Sequence, residues 1–250
     1  MLQQIKGILF DKDGTLMDFY SGWFPVGTQI TDLLVEEVCL KDDPSTKASL
    51  LEAIGLHGDN IDPAGILAAG TTQEMSEAFV RILRDKQVNP EKLEHLEDWL
   101  TRKLHQLTLS NRHNLKPTAD LHFLLGQLRR HGLKLGIATA DDLESTEFFL
   151  ELAGIADYFD FIGTSDCYEK KPSPCMLQAF CEVGSMSAEE VAVAGDTVTD
   201  IRFARNSAAG LAIGVLSGAS GMSELQDADF VIPTVADIVQ ADGRFIWQND

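Results

Sequence analysis

Two short apolar runs that read as buried strands lie far apart in this chain, and the gap between them limits what it can fold into. The first occupies residues 5–11, where Ile8, Leu9 and Phe10 stop abruptly at Asp11-Lys12-Asp13-Gly14. The next comparable run spans residues 133–139. A crossover between parallel strands needs only a dozen or so residues, so a separate body must be inserted between them. The insert reads as helical. Val26, Ile30, Leu33, Leu34 and Val38 mark one stripe, Met75, Phe79, Ile82 and Leu83 a second, and Leu93, Leu96, Leu100, Leu104 and Leu107 a third. The pattern fades near Asp18 and Arg112. The sequence therefore predicts an all-helical domain over residues 18–112, inserted into a domain made of residues 1–17 and 113–250, with two connections that imply a hinge.

From Thr118 onward helices and strands alternate. Lys116-Pro117 introduces a helix striped by Leu121, Leu124, Leu125 and Leu128, and Gly132 ends it. Further strands are expected at 159–163, 191–194, 211–215 and 230–232, with Met176, Ala179, Phe180 and Val183 striping one of the intervening helices. Such alternation argues an α/β domain built on a doubly wound parallel sheet.

At 250 residues and 44% hydrophobic composition the chain can bury a full core. Its formal charge of -19 repels nucleic acid and anionic membranes, whose binding rests on Lys and Arg. The same charge would repel a phosphorylated metabolite, so a phosphate site must make its own positive field from a metal, a lysine or backbone N–H groups. Cys39, Cys167, Cys175 and Cys181 form no C-x-x-C pair, and no mixed Cys/His spacing suggests zinc. Free thiols, no basic leader at the N-terminus and no apolar stretch near the ~18 residues of a membrane span make a cytoplasmic location the expectation.

In a doubly wound sheet ligands bind beyond the carboxyl ends of the strands. The first strand ends in Asp11-Lys12-Asp13-Gly14-Thr15-Leu16, the second at Thr139, and the run from Val191 in Gly195-Asp196-Thr197-Val198-Thr199-Asp200; Lys171-Pro172 follows the third. Asp11, Asp13, Asp196 and Asp200 at one sheet edge would repel one another unless a cation were present. Oxygen ligands alone suit Mg²⁺, and Lys171 adds a second positive charge. A carboxylate such as Asp11 can take a phosphoryl group and so split a hydrolysis into two easier steps. Asp13, two residues along, is left as general acid and base, and Gly14 frees the backbone to turn. The Thr139 hydroxyl and the turn that follows at Ala140 offer donors for phosphate oxygens, alongside Lys171. Asp196 is expected on the metal. Asp200, at an expected helix start, either reaches the metal through water or orients Lys171, the second being favoured.

Taken in order, Asp11-Lys-Asp-Gly-Thr-Leu, Thr139, Lys171-Pro172 and Gly195-Asp196-Thr-Val-Thr-Asp200 resemble the four motifs of the haloacid dehalogenase superfamily. The helical insert resembles the C1-type cap of its phosphoglycolate phosphatase-like branch. The resemblance implies a Rossmann-like core, Mg²⁺, an aspartyl-phosphate at Asp11 and a small phosphorylated metabolite as substrate, 2-phosphoglycolate being the best single guess. A monomer or homodimer is expected. Two positions depart from the pattern. Ala140-Asp141 follows Thr139 where many relatives carry asparagine, and Lys170 precedes Lys171 where glycine is frequent; an extra carboxylate at 141 would disfavour some anionic substrates. A phosphosugar mutase shares the motifs, and a non-catalytic binding protein could keep the fold. A dehalogenase lacks the second aspartate, and a phosphonate hydrolase needs a cap lysine that nothing marks among Lys41, Lys47 and Lys86.

Other features have ordinary readings. Thr71-Thr-Gln-Glu74 reads as a capping box that opens a helix, Arg81 as a surface charge, and the Gly218-Ala-Ser-Gly221 loop as a turn. No P-loop or dinucleotide fingerprint is present.

Overall fold

Strand β1 (Gly7–Phe10) is buried at every position, and it lies in the middle of a parallel sheet. The computed structural model describes residues 4–248 except 59, 63, 112 and 113. After β1 come α1 (Phe19–Glu37), α2 (Pro44–Ala53), β2 (Leu56–His57), β3 (Asn60–Ile61), α3 (Ile66–Ala69), α4 (Thr72–Asp85), α5 (Pro90–Glu94) and α6 (Leu96–Ser110). The chain then alternates through α7 (Leu121–Arg130), β4 (Lys134–Ala138), α8 (Leu143–Leu152), β5 (Phe161–Gly163), α9 (Cys175–Gly184), β6 (Val191–Gly195), α10 (Val198–Asn206), β7 (Leu211–Val215) and β8 (Phe230–Ile232).

The six-stranded sheet runs in the order β5-β4-β1-β6-β7-β8, parallel throughout. Gly7 aligns with Lys134 on one side and Val191 on the other. The chain first builds outward from β1 through β4 to β5, then returns to β6 on the opposite side. β1 and β6 therefore flank the point where strand order reverses, the place where such sheets bind ligands. The runs expected at 211–215 and 230–232 match β7 and β8, and the others match within a few residues. Strands buried on both faces must be apolar without interruption, which is why they stand out.

Two compact units result, one of Met1–Phe19 with Lys116–Asp250, the other Tyr20–Leu115. The expected boundary at 112 and 113 lies outside the described residues. Within the first unit the two connections run side by side: the Asp18 amide donates to the Lys116 carbonyl at 2.7 Å, and Thr118 donates to the Leu16 carbonyl at 3.0 Å. Its core gathers Leu9, Val193, Met176, Leu177, Phe180 and Phe203. The stripe expected on α9 is displaced, since Val183 is exposed and Leu177 is buried.

In the second unit, Val26, Ile30, Leu34, Met75, Phe79, Leu83, Leu96, Leu100 and Leu104 are buried as their spacing requires. Thr71 and Glu74 form the expected capping box at the start of α4. Two details depart from an all-helical insert with three long stripes. β2 and β3 form a short antiparallel ladder pairing Leu56 with Ile61, too short for a period-two signal. The third stripe is also divided at His95, which ends α5 and precedes α6.

Candidate active site

The site is assembled at the carboxyl ends of β1, β4 and β6. The Asp11 amide continues the ladder by donating to the Ala194 carbonyl at 2.8 Å, which fixes the Asp11 backbone as firmly as the strand itself. Asp11 Oδ1 lies 2.7 Å from the Lys171 ammonium, and the same ammonium lies 2.5 Å from Asp200 Oδ1. All three side chains are buried. Asp200 Oδ2 accepts from the Thr197 amide at 3.0 Å and the Thr197 hydroxyl at 2.6 Å, the capping box that opens α10. Both Asp200 oxygens are thus engaged, one on Lys171 and one on the helix start.

Asp196 is held differently. Its Oδ2 accepts from the Ala219 amide at 2.8 Å, while Oδ1 is buried with no hydrogen-bond partner. A buried acceptor without a donor is costly, and a carboxylate oxygen in that state is suited to a cation. Ligand atoms from Asp11, Asp196 and Asp200 all lie within 4.8 Å of one another. These three oxygen donors fit a hard divalent ion. The Asp13 carboxylate lies outside this group, its Oδ2 2.6 Å from the Lys12 ammonium.

The electrostatics report the same excess of negative charge. Burial raises the Asp11 pKa to about 7, with Lys171 opposing the rise and Asp200 and Asp13 adding to it. Burial, then the charges of Asp11 and Asp200, pushes Asp196 well above the usual carboxylate range. Burial by itself would lower Lys171, but Asp11 and Asp200 outweigh it and hold the ammonium above the ordinary lysine value. A lysine that firmly charged is a fixed cation, and it leaves room for a second positive charge beside Asp196.

Thr139 is buried behind β4; its amide donates to the Gly163 carbonyl at 3.0 Å, and its hydroxyl accepts from the Asp141 amide at 3.1 Å. Ala140 occupies the turn between them and is partly exposed. Gly14 adopts φ +86°, and a Cβ there would fall 2.4 Å from Asp196 Oδ2.

A family model of haloacid dehalogenase-like hydrolases matches residues 5–208. The chain belongs to the haloacid dehalogenase-like hydrolases. Among curated proteins it is 28% identical over 246 residues to a phosphoglycolate phosphatase of Vibrio parahaemolyticus, covering 95% of this chain and 96% of that one. Among solved structures it is similar to a HAD phosphatase from Thermococcus onnurineus, with TM-score 0.66, 22% identity and coverage of 97% and 100%. It is also similar to a beta-phosphoglucomutase from Clostridium difficile, with TM-score 0.64, 17% identity and coverage of 93% and 92%. Both structural likenesses concern the fold.

In this hydrolase, residues that drew no functional expectation from the sequence also lie against the cluster. The loop after β7, read as a turn, holds Asp196 through the Ala219 amide, and the Ser217 hydroxyl donates to the Gly14 carbonyl at 2.7 Å. A Cβ on Gly218 would fall 1.9 Å from Asp196 Oδ2. The available signal was position alone, since the loop follows a strand end. Lys12 was passed over inside its own motif, yet its buried ammonium lies 3.0 Å from Asp141 Oδ2 as well as against Asp13. The extra carboxylate at 141, expected to disfavour some anionic substrates, therefore shares one lysine of the same chain with Asp13 and is offset only in part. No helix among the described residues is long and apolar enough to cross a membrane.

Proposed function

We propose that this hydrolase is a magnesium-dependent phosphatase acting on a small phosphate monoester, with 2-phosphoglycolate the first ester to test. One observation carries the reading: Lys171 joins Asp11 to Asp200 while Asp196 presents a buried, unpartnered Oδ1 beside them. The name of the Vibrio parahaemolyticus relative supports the choice of ester.

In this reading an Asp11 oxygen attacks phosphorus as the ester P–O bond breaks, and Asp13 gives its proton to the departing oxygen. The alcohol leaves and the phosphoryl group remains on Asp11. The Asp13 carboxylate then takes a proton from water, the water oxygen attacks phosphorus, and the bond to Asp11 breaks to restore its carboxylate and free inorganic phosphate. Lys171, the Thr139 hydroxyl and the turn at Ala140 hold the phosphoryl oxygens as charge spreads over them. Asp11 and Asp196 would hold Mg²⁺, with Asp13 and Asp200 as the further candidates; when bound, the ion supplies positive charge to the phosphoryl oxygens and to the crowded carboxylates. Asp200 orients Lys171. We assign the helical unit the role of cap, selecting the organic part of the ester.

The test is phosphate release from a panel of small phosphate esters, 2-phosphoglycolate included, with Mg²⁺ and with chelator. Release that needs Mg²⁺ and is lost in Asp11→Asn is expected; silence of the wild type under both conditions overturns the reading. A phosphosugar mutase, the activity named for the Clostridium difficile protein, returns the phosphoryl group to a sugar phosphate and would convert its substrate while releasing little phosphate.

A further inference from the structure

We infer that Lys12 and Asp141 are positioning residues that hold the acid/base carboxyl of Asp13 in register with the Thr139 turn. The inference rests on the phosphatase reading above. Lys12 lies between the two aspartates of the first motif, and its side chain is 3% exposed. Its ammonium meets one oxygen of Asp13, Oδ2, at 2.6 Å and one oxygen of Asp141, Oδ2, at 3.0 Å. It also lies 5.8 Å from the centre of the Phe149 ring on α8.

Asp141 is itself fixed from several sides. Its amide donates to the Thr139 hydroxyl at 3.1 Å, its Oδ1 accepts from the Asp142 amide at 2.9 Å, and its carbonyl accepts from the Ser165 amide at 3.0 Å. A continuous series of contacts therefore runs from Thr139 through Asp141 and Lys12 to Asp13, joining the turn after β4 to the loop after β1. Anchoring Oδ2 of Asp13 restricts the rotation of the carboxyl group, and so the direction from which it can deliver a proton. Asp13 alone could pair this lysine; Asp141 gives the ammonium a second partner, fixed to the turn after β4, so the two positions form one device.

Misplacement of a proton donor is felt most where the leaving oxygen most needs the proton. A nitrophenolate departs readily without it, whereas an alkoxide does not. The experiment compares kcat/KM for p-nitrophenyl phosphate and for an alkyl phosphate that the wild type hydrolyses. Lys12→Met, and Lys12→Met/Asp141→Asn, which removes the two charges together so that no unpaired carboxylate is left at 141, are set against the wild type. Both variants are expected to lose ~10²-fold on the alkyl ester, in kcat with little change in KM, and less than about tenfold on the nitrophenyl ester, since general acid catalysis is worth roughly 10² to 10⁴ and about 1 Å of misplacement can cost ~10²-fold. Equal losses on the two esters overturn the positioning role while leaving the phosphatase reading intact. A bias present in Lys12→Met and absent from the double variant overturns it too, because the effect would then come from the unpaired Asp141. No release of phosphate by the wild type from either ester overturns the phosphatase reading and this inference with it.

Discussion

The Lys171 ammonium lies 2.5 Å from Asp200 Oδ1 and 2.7 Å from Asp11 Oδ1, so one buried cation joins the end of the central strand to the first turn of α10. Removing it leaves two buried carboxylates facing each other. Breaking a buried pair by deleting one partner typically costs about 3–5 kcal/mol. Lys171→Met should therefore lower the stability of the metal-free protein by an amount of that order in urea unfolding. It should also reduce kcat by ~10² to 10³, the effect of removing one electrostatic stabiliser of a transition state. An unchanged unfolding midpoint would refute the bridging role.

Asp11 has a folded-state pKa of about 7 against an ordinary value of 3.8. Between these values the folded state binds more protons than the unfolded state, so this group makes stability fall as pH rises through the window. Asp196 is shifted in the same direction. The metal-free protein should therefore lose thermal stability between about pH 4 and 7, and Asp11→Asn should flatten that slope. Mg²⁺ competes with the protons, so its stabilisation should be larger at pH 7.5 than at pH 5.5. Thermal scans across this range, with and without the ion, decide the matter, and a slope in Asp11→Asn as steep as in the wild type would count against the assignment.

Gly218 leaves no room for a side chain beside Asp196, since a Cβ would fall 1.9 Å from Oδ2. Gly218→Ala must displace either the loop or the carboxylate. We expect the Mg²⁺ concentration for half-maximal activity to rise about 10- to 100-fold, the usual cost of disturbing an outer-shell partner, with a much smaller change in melting temperature. A metal titration identical to the wild type's would show that the loop does not set the position of Asp196.

Thr71 offers a contrast. It caps α4 through the Glu74 amide, with the Glu74 side chain returning to the Thr71 amide. Thr71→Ala should cost about 1 kcal/mol of stability and leave kcat unchanged. A large fall in kcat, measured at saturating substrate and well below the melting temperature, would place Thr71 at the substrate.

The contrast between Thr71 and Gly218 also marks what could be read from sequence. Capping boxes, strands buried on both faces and helices such as α7, whose Leu121, Leu124, Leu125 and Leu128 are all buried, are local patterns written in neighbouring residues. α2 was passed over because its buried positions are Thr46 and Leu50 alone, too few to mark a stripe. Asp11, Asp196, Asp200 and Lys171 were legible as a set because strand ends converge in a doubly wound sheet, whereas Asp13 turns to Lys12. Lys12 with Asp141, and Gly218 with Asp196, were not, because each pairing exists only after separate loops meet, and nothing in either segment announces its partner.

Among the described residues β1 pairs with β4 and β6, and these strands span Lys134–Ala138 and Val191–Gly195. On a ribosome the central strand is therefore made long before either neighbour, and must remain unpaired while the whole of Tyr20–Leu115 emerges. Because domains fold as units in order of synthesis, the inserted helices can settle on their own contacts first. The strand that leads into Asp11 is flanked on both sides only when β6 arrives, so hydrolytic competence is among the last properties the nascent chain acquires.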